Sequence, residues 1–178
     1  HLVTASASHE VDIYHPLIET IRNYTTEKNI AGPLALASER VMADHMRALY
    51  VLVADGAPPP GKNGRERIVK MLIRGVRTRQ ILLGIEQGAF LDAMIEEIES
   101  IFPHLADPRA VERLKSYFGA EAQRFEKTIQ RGQQQLGDFV AQNGGKALSG
   151  EQIVFLEKEI GLPHLLVSRF LSASSRSS

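Results

Sequence analysis

A chain of 178 residues, 43% of them hydrophobic, is long enough for one domain with a buried core, and equal counts of 21 basic and 21 acidic residues leave no formal net charge. Any affinity for a polyanion must therefore come from segregated charge. The absence of cysteine excludes a disulfide framework and thiolate metal sites, and no apolar run is long enough to cross a bilayer. His1–Ser8 carries neither a basic n-region nor an apolar h-region, so a cytoplasmic (or organellar-matrix) location is expected. Among helix-forming residues Leu, Ala, Glu, Ile and Arg are the most frequent, with Gln behind them. These helix formers predict an all-α fold, an irregular multi-helix bundle with a long helix in its C-terminal half. We expect one helical domain over residues 1–172 and a disordered serine-rich tail over 173–178.

Leu2–Asp12 reads as a segment able to pair as a strand within a larger protein. Pro16, a residue suited to the first helical position, opens the first helix, with Leu17, Ile18, Ile21 and Tyr24 at helical spacing. Thr25–Gly32 is a loop and Pro33 opens the second helix. Its apolar stripe of Val41, Met42, His45, Met46, Leu49, Leu52 and Val53 ends at Gly56. A Pro- and Gly-rich turn, Ala57–Gly64, precedes a third helix over Arg65–Ile85. Phe90, Leu91, Met94, Ile95, Ile98 and Ile101 mark a fourth, closed by Pro103. Pro108 opens the longest pattern, in which Val111, Leu114, Phe118, Ala122, Phe125, Ile129, Leu136, Phe139 and Val140 keep to one side up to Gly144-Gly145. Gly119, Gly132 and Gly137 are points at which that helix can bend. Ser149 and Gln152 form a capping box, the helix they open stops at Gly161, and Pro163 starts a last short helix.

At about 100° per residue, Arg67, Lys70, Arg74 and Arg77 fall within an arc of roughly 80° on the third helix. Ile68, Val69, Met71, Leu72, Ile73 and Val76 are placed on the other side, and Lys62, Arg65 and Arg79 add charge at the ends. Like charges along one helix repel, and a polyanion converts that repulsion into phosphate contacts and counterion release. Two readings stay open. The stripe binds phosphates, Arg74 and Arg77 foremost because guanidinium grips them bidentately, or it is a solvated face paired with Glu96, Glu97 and Glu99. No aromatic residue lies between Tyr50 and Phe90, so backbone contact with a duplex fits better than single-strand stacking.

Other chemistry is poorly supported. His45 lies on the apolar face of its helix with no second histidine three or four residues away, which fits a hydrogen-bonded core histidine and no metal site. Gly144-Gly145-Lys146 lacks the strand and spacing of a phosphate-binding loop. Ser149 is a cap and no nucleophile.

An ordered set of motifs from about Asp12 to Leu166 resembles the helical tRNA-recognition region of alanyl-tRNA synthetases. Asp12–Pro16 resembles the family's Asp-x-Phe-x-Pro element, and Arg40–Gly56 its Ala-Asp-His-x-Arg-Ala helix ending in Ala-Asp-Gly. Ile73-Arg74-Gly75-Val76-Arg77 is similar to the basic segment after the turn, and Phe102-Pro103-His104-Leu105 to a Tyr-Pro-x-Leu corner. Glu121, Phe125, Thr128, Ile129 and Gly132 follow a Glu-x-x-x-Phe-x-x-Thr-Ile-x-x-Gly pattern, and Gly161-Leu162-Pro163 a Gly-Phe-Pro turn.

The resemblance implies a partner, alanine tRNA, held at its acceptor stem and delivered to a catalytic domain of the same polypeptide or complex. It also implies that Lys62, Arg65, Arg67, Lys70, Arg74 and Arg77 hold phosphates, with Asn63 and Lys158 where base-edge readers belong. Three features depart from the family. Pro60 and Gly61 stand where it has Ser-Asn, the doubled arginines are thinned to Lys70 and Arg74, and Lys158 replaces an aspartate. The resemblance further implies no catalytic or metal site and no cofactor in this segment. ATP and Mg²⁺ belong to the catalytic core of a parent alanine–tRNA ligase. The alternative is a synthetase-derived helical module without tRNA specificity, serving protein interaction or structure.

Overall fold

The computed structural model describes residues 3–174, and every regular element in them is helical. The order is α1 (Val3–Tyr24), α2 (Gly32–Ala54), α3 (Gly64–Leu83), α4 (Gln87–Ile101), a 3₁₀ turn (Pro103–Leu105), α5 (Pro108–Gln142), α6 (Gly150–Phe155), a π-helical turn (Leu156–Ile160) and α7 (His164–Ser174). No described helix is long and apolar enough to cross a membrane. The all-α expectation, with its long helix at Pro108–Gln142, holds.

Two boundaries differ from the sequence reading. The first helix starts at Val3, not near Pro16, so the described part of Leu2–Asp12 is helical and Pro16 lies inside α1. A proline removes one backbone donor and is compatible with a helix whose following turns are held by packing. Here Leu17 and Ile21 are fully buried, and α1 packs on α2 and α4. At the other end, α7 continues through Ala173 and Ser174, which were expected to be disordered. The rest of that tail, residues 175–178, lies outside the described residues.

The chain divides into two compact units, His1–Glu121 and Ala122–Ser178, with the division inside α5. In the first, α2 and α3 pack as a pair, and the core includes Met42, Met46, Leu49, Val69, Ile73, Phe90 and Met94. α2 stops at Gly56 because the chain turns left-handed there (φ +82°), which glycine adopts without a Cβ clash. The N–H groups of Gly56 and Ala57 then return to the Val53 and Leu52 carbonyls. Arg22 on α1 clamps Glu39 on α2 with bonds of 3.0–3.1 Å. Buried Tyr50 ties the Phe102–Leu105 corner to α2: its hydroxyl lies 2.7 Å from Glu99 Oε1 and 3.1 Å from the Leu105 carbonyl, and accepts the Asp107 N–H. Burial, and then the Glu99 hydrogen bond, push its pKa up to about 12.

In the second unit the capping box forms as read: Ser149 Oγ accepts the Gln152 N–H, and Gln152 Oε1 accepts the Ser149 N–H. Gln152 also exchanges hydrogen bonds with Asn143, closing the loop between α5 and α6. Gly132 does not bend α5, which runs unbroken through it. It makes room for fully buried Leu162.

Candidate nucleic-acid interface

The turn before α3 is held at several points. The Tyr117 hydroxyl donates to the Ala57 carbonyl at 3.3 Å, and Arg113 donates to the Val53 carbonyl at 3.2 Å, so α5 braces the end of α2. The Gly61 N–H donates to the Glu66 carbonyl at 3.1 Å, folding the turn back on the first turn of α3. A Cβ at Gly61 would run into the Glu66 carboxylate. At position 61, where the resemblance expects asparagine, a side chain would therefore require the exposed Glu66 side chain to move.

Lys62, Asn63, Arg65 and Arg67 emerge exposed from this turn and the start of α3. Asn63 occupies the N-cap position, but its side chain makes no capping hydrogen bond. Arg65 reaches Asp55 at 2.9 Å across a solvent-exposed pair. Further along α3, Lys70, Arg74 and Arg77 are half-buried. Because α3 is continuous over Gly64–Leu83, Arg67, Lys70, Arg74 and Arg77 do share one side of it.

They do not share one environment. Arg74 Nε donates to Glu121 Oε1 at 2.8 Å, with side chains 21% and 1% exposed. This partner is none of the α4 acids anticipated. Of those, Glu99 accepts the Tyr50 hydroxyl. The signal for Glu121 was present in the long apolar stripe, where it stands three residues after Phe118 and one before Ala122. An acid on a buried stripe calls for a cation.

The apolar side of α3 also needs correction. Val69, Ile73 and Val76 are buried, but Ile68 and Met71 are 50% and 55% exposed, and Leu72 is half-buried. Hydrophobic identity alone had placed all six together. The first turns of α3 are covered on one side only, which leaves Ile68 and Met71 outside, whereas farther along Thr78 and Leu82 are buried on Met71's side.

The motif residues meet in pairs. Tyr14 donates to Asp44 at 2.9 Å, and Arg47 stacks over the Tyr14 ring at 5.5 Å. His45 packs on Gly75, where a Cβ would lie 2.7 Å from the imidazole Cδ2. The buried Nδ1 of His45 has no hydrogen-bond partner among the described residues and lies 4.0 Å from Asp44 Oδ2. Burial lowers its pKa, the Arg79 charge lowers it further, and Asp44 opposes both. In the other unit, Leu162 of the late turn fills the space at Gly132. These motifs are therefore largely scaffold, each side chain shaped to another.

Lys158 is exposed on the π-helical turn, between Glu157 and Glu159, and belongs to the second unit, whereas Asn63 belongs to the first. Glu157 is engaged by His164 Nδ1 at 2.7 Å. Among the described residues, no group of three or more His, Asp or Glu side chains is arranged to hold a metal ion.

The family model for class II (A) tRNA synthetases matches residues 1–175. The chain is 30% identical over 169 residues to the alanine–tRNA ligase of Clostridioides difficile, covering 91% of this chain and 19% of that protein. It is 32% identical over 179 residues to the chloroplastic/mitochondrial alanine–tRNA ligase of Oryza sativa subsp. japonica, covering 88% and 17%. To the Thermotoga maritima alanine–tRNA ligase it is 28% identical over 157 residues, covering 86% and 18%. It thus spans about a fifth of the length of these curated relatives.

Proposed function

Because this chain belongs to the class II alanyl-tRNA synthetase family, we propose that it docks the acceptor stem of alanine tRNA and positions it for aminoacylation. Lys62, Arg65, Arg67 and Lys70 are the phosphate contacts, and Asn63 is the base-edge candidate beside them. The observation that carries this reading is the braced turn, which displays Lys62, Asn63, Arg65 and Arg67 together on solvent. Braced cations lose little freedom on binding, so more of each phosphate contact is retained as affinity. Arg74 has a different part, anchoring α3 through Glu121. Arg77 supplies positive potential from its half-buried place on the same side. Lys158 adds a further cation where the resemblance expects a base-reading acid. On this proposal the helices handle RNA alone, and ATP, Mg²⁺ and alanine belong to a catalytic core elsewhere in a cytoplasmic ligase.

A second reading is a protein-interaction module without tRNA specificity. It is favoured by Lys158 in place of an acid and by the carboxylates already paired with Arg65 and Arg74. Titrating an alanine tRNA transcript against the chain at several salt concentrations separates the two. With about four phosphates neutralised, log K falls against log salt with a slope near −3 to −4. Absent binding, or binding flat across salt, refutes the docking reading.

A further inference from the structure

The outer face of α3 carries more than charge. Taking Val69, Ile73 and Val76, the buried residues of its first turns, as the inward direction there, Met71 stands about 170° away from it and Ile68 about 110° away; farther along, Thr78 and Leu82 are buried on Met71's side. Around the helix the order is then Lys70, Arg67, Met71, Ile68, Arg65, in steps of roughly 40–60°, and Arg65, though only about 50° from the inward direction, is exposed because it lies on the first turn. Both apolar side chains are half exposed, at 50% and 55%, and are neighbours at i, i+3. Met71 shares the crest of the helix with Arg67, Ile68 lies beside Met71 on one flank, and cations border the apolar pair on both sides.

The other exposed large apolar residues differ. Val154 and Phe155 stand between Glu151 and Glu157, and Phe155 already has an edge-on contact with Phe139. Leu36 and Val51 occur singly on α2. Single exposed apolar residues are ordinary, but an apolar pair framed by Arg65, Arg67 and Lys70 has a specific complement. The occupant must offer carbon surface in the middle and negative charge at both edges. An A-form RNA duplex does so: its wide, shallow groove presents ribose and base edges between two phosphate rails.

We propose that Ile68 and Met71 pack against ribose faces in the shallow groove of the bound RNA duplex, while Arg65 and Lys70 reach phosphates on opposite rails. This rests on the docking reading and assigns it a salt-independent part. Arg65 exchanges its exposed Asp55 partner for a phosphate, at small cost because exposed pairs are weak. The apolar contact holds the helix at a fixed depth in the groove, which phosphate contacts alone do not.

The test compares Ile68→Gln/Met71→Gln with Arg67→Gln, using an alanine tRNA transcript and the full chain over a range of salt. The double variant is expected to bind about tenfold more weakly at every salt concentration, with an unchanged slope. Arg67→Gln is expected to make the slope shallower by about one. Since both apolar residues are exposed, the double variant should melt with the wild type, and Met71→Ala alone gives a smaller effect of the same kind. Wild-type affinity in the double variant, while the wild type keeps its salt slope, overturns this inference and leaves the docking reading intact. No wild-type binding overturns both. Self-association of the wild type that the double variant loses, with RNA affinity unchanged, overturns the inference in favour of a second copy as the occupant.

Discussion

Alanine in place of Gly132 sets two effects of known size against each other. In a helix interior alanine is favoured over glycine by about 1 kcal/mol, so the exchange should stabilise α5 if nothing else intervened. At Gly132, however, the new Cβ would lie 2.9 Å from Leu162 Cβ and Cδ2 and 3.0 Å from Cδ1. Leu162 is fully buried, and its N–H is bonded to the Leu156 carbonyl at 2.9 Å, so neither side chain nor backbone can retreat freely. Overpacking of this kind costs about 1–3 kcal/mol, which leaves Gly132→Ala net destabilised by about 1 kcal/mol. Gly137 lies on the same helix with open space at its Cβ, and Gly137→Ala should gain about 1 kcal/mol. The two variants should therefore differ by about 2 kcal/mol, or about 4–8 °C in Tm for a chain of this size. Thermal melts followed by circular dichroism, with urea unfolding alongside, measure the gap. Adding Leu162→Ala to Gly132→Ala should cost roughly 1 kcal/mol less than the sum of the single changes, since the contacts with Cδ1 and Cδ2 vanish and only the Cβ contact remains. Gly132→Ala melting above wild type, as Gly137→Ala should, would refute the close-approach argument.

Two further outcomes follow from the site. Arg74→Ala removes the guanidinium from buried Glu121 and should cost about 3 kcal/mol, whereas Arg67→Ala on the exposed part of α3 should stay within about 0.5 kcal/mol. Equal urea midpoints for the two would show that the ion pair does not anchor the helix, and any RNA-binding loss in Arg74→Ala must be read against its folding. His45, whose pKa is lowered by burial and then by Arg79, contributes stability that is complete above the ordinary pKa of 6.5 and is lost as pH falls through its folded value. Its imidazole should titrate below 6.5 by NMR, and Arg79→Met should raise the midpoint only part of the way, because burial is the larger cause. A midpoint at or above 6.5 contradicts the packed histidine.

Patterns local in the chain were legible early. The period-3.6 stripes of α2, α4 and α5, the Gly56 stop and the Ser149–Gln152 box depend on residues within a turn or two of each other and appear as read, whereas the apolar side of α3 does not. Pro16 was misread because proline fixes its own φ whether it opens a helix or sits within one. The choice depends on burial of Leu17 and Ile21 against other helices. The basic residues themselves were plain, but their division into displayed and anchored ones was not. That division depends on Glu121, 47 positions after Arg74.

Composition and periodicity alone determined that this protein is helical, where most of its helices stop, and which side of α3 carries its cations, because each follows from backbone geometry and neighbours within a few residues. Only the tertiary structure decided which cations remain displayed, that Ile68 and Met71 stay exposed, and that His45 and Leu162 fill the space left at Gly75 and Gly132. Those outcomes depend on which surfaces distant helices cover. A side chain's desolvation and partners are set by neighbours that its own stretch of chain does not specify.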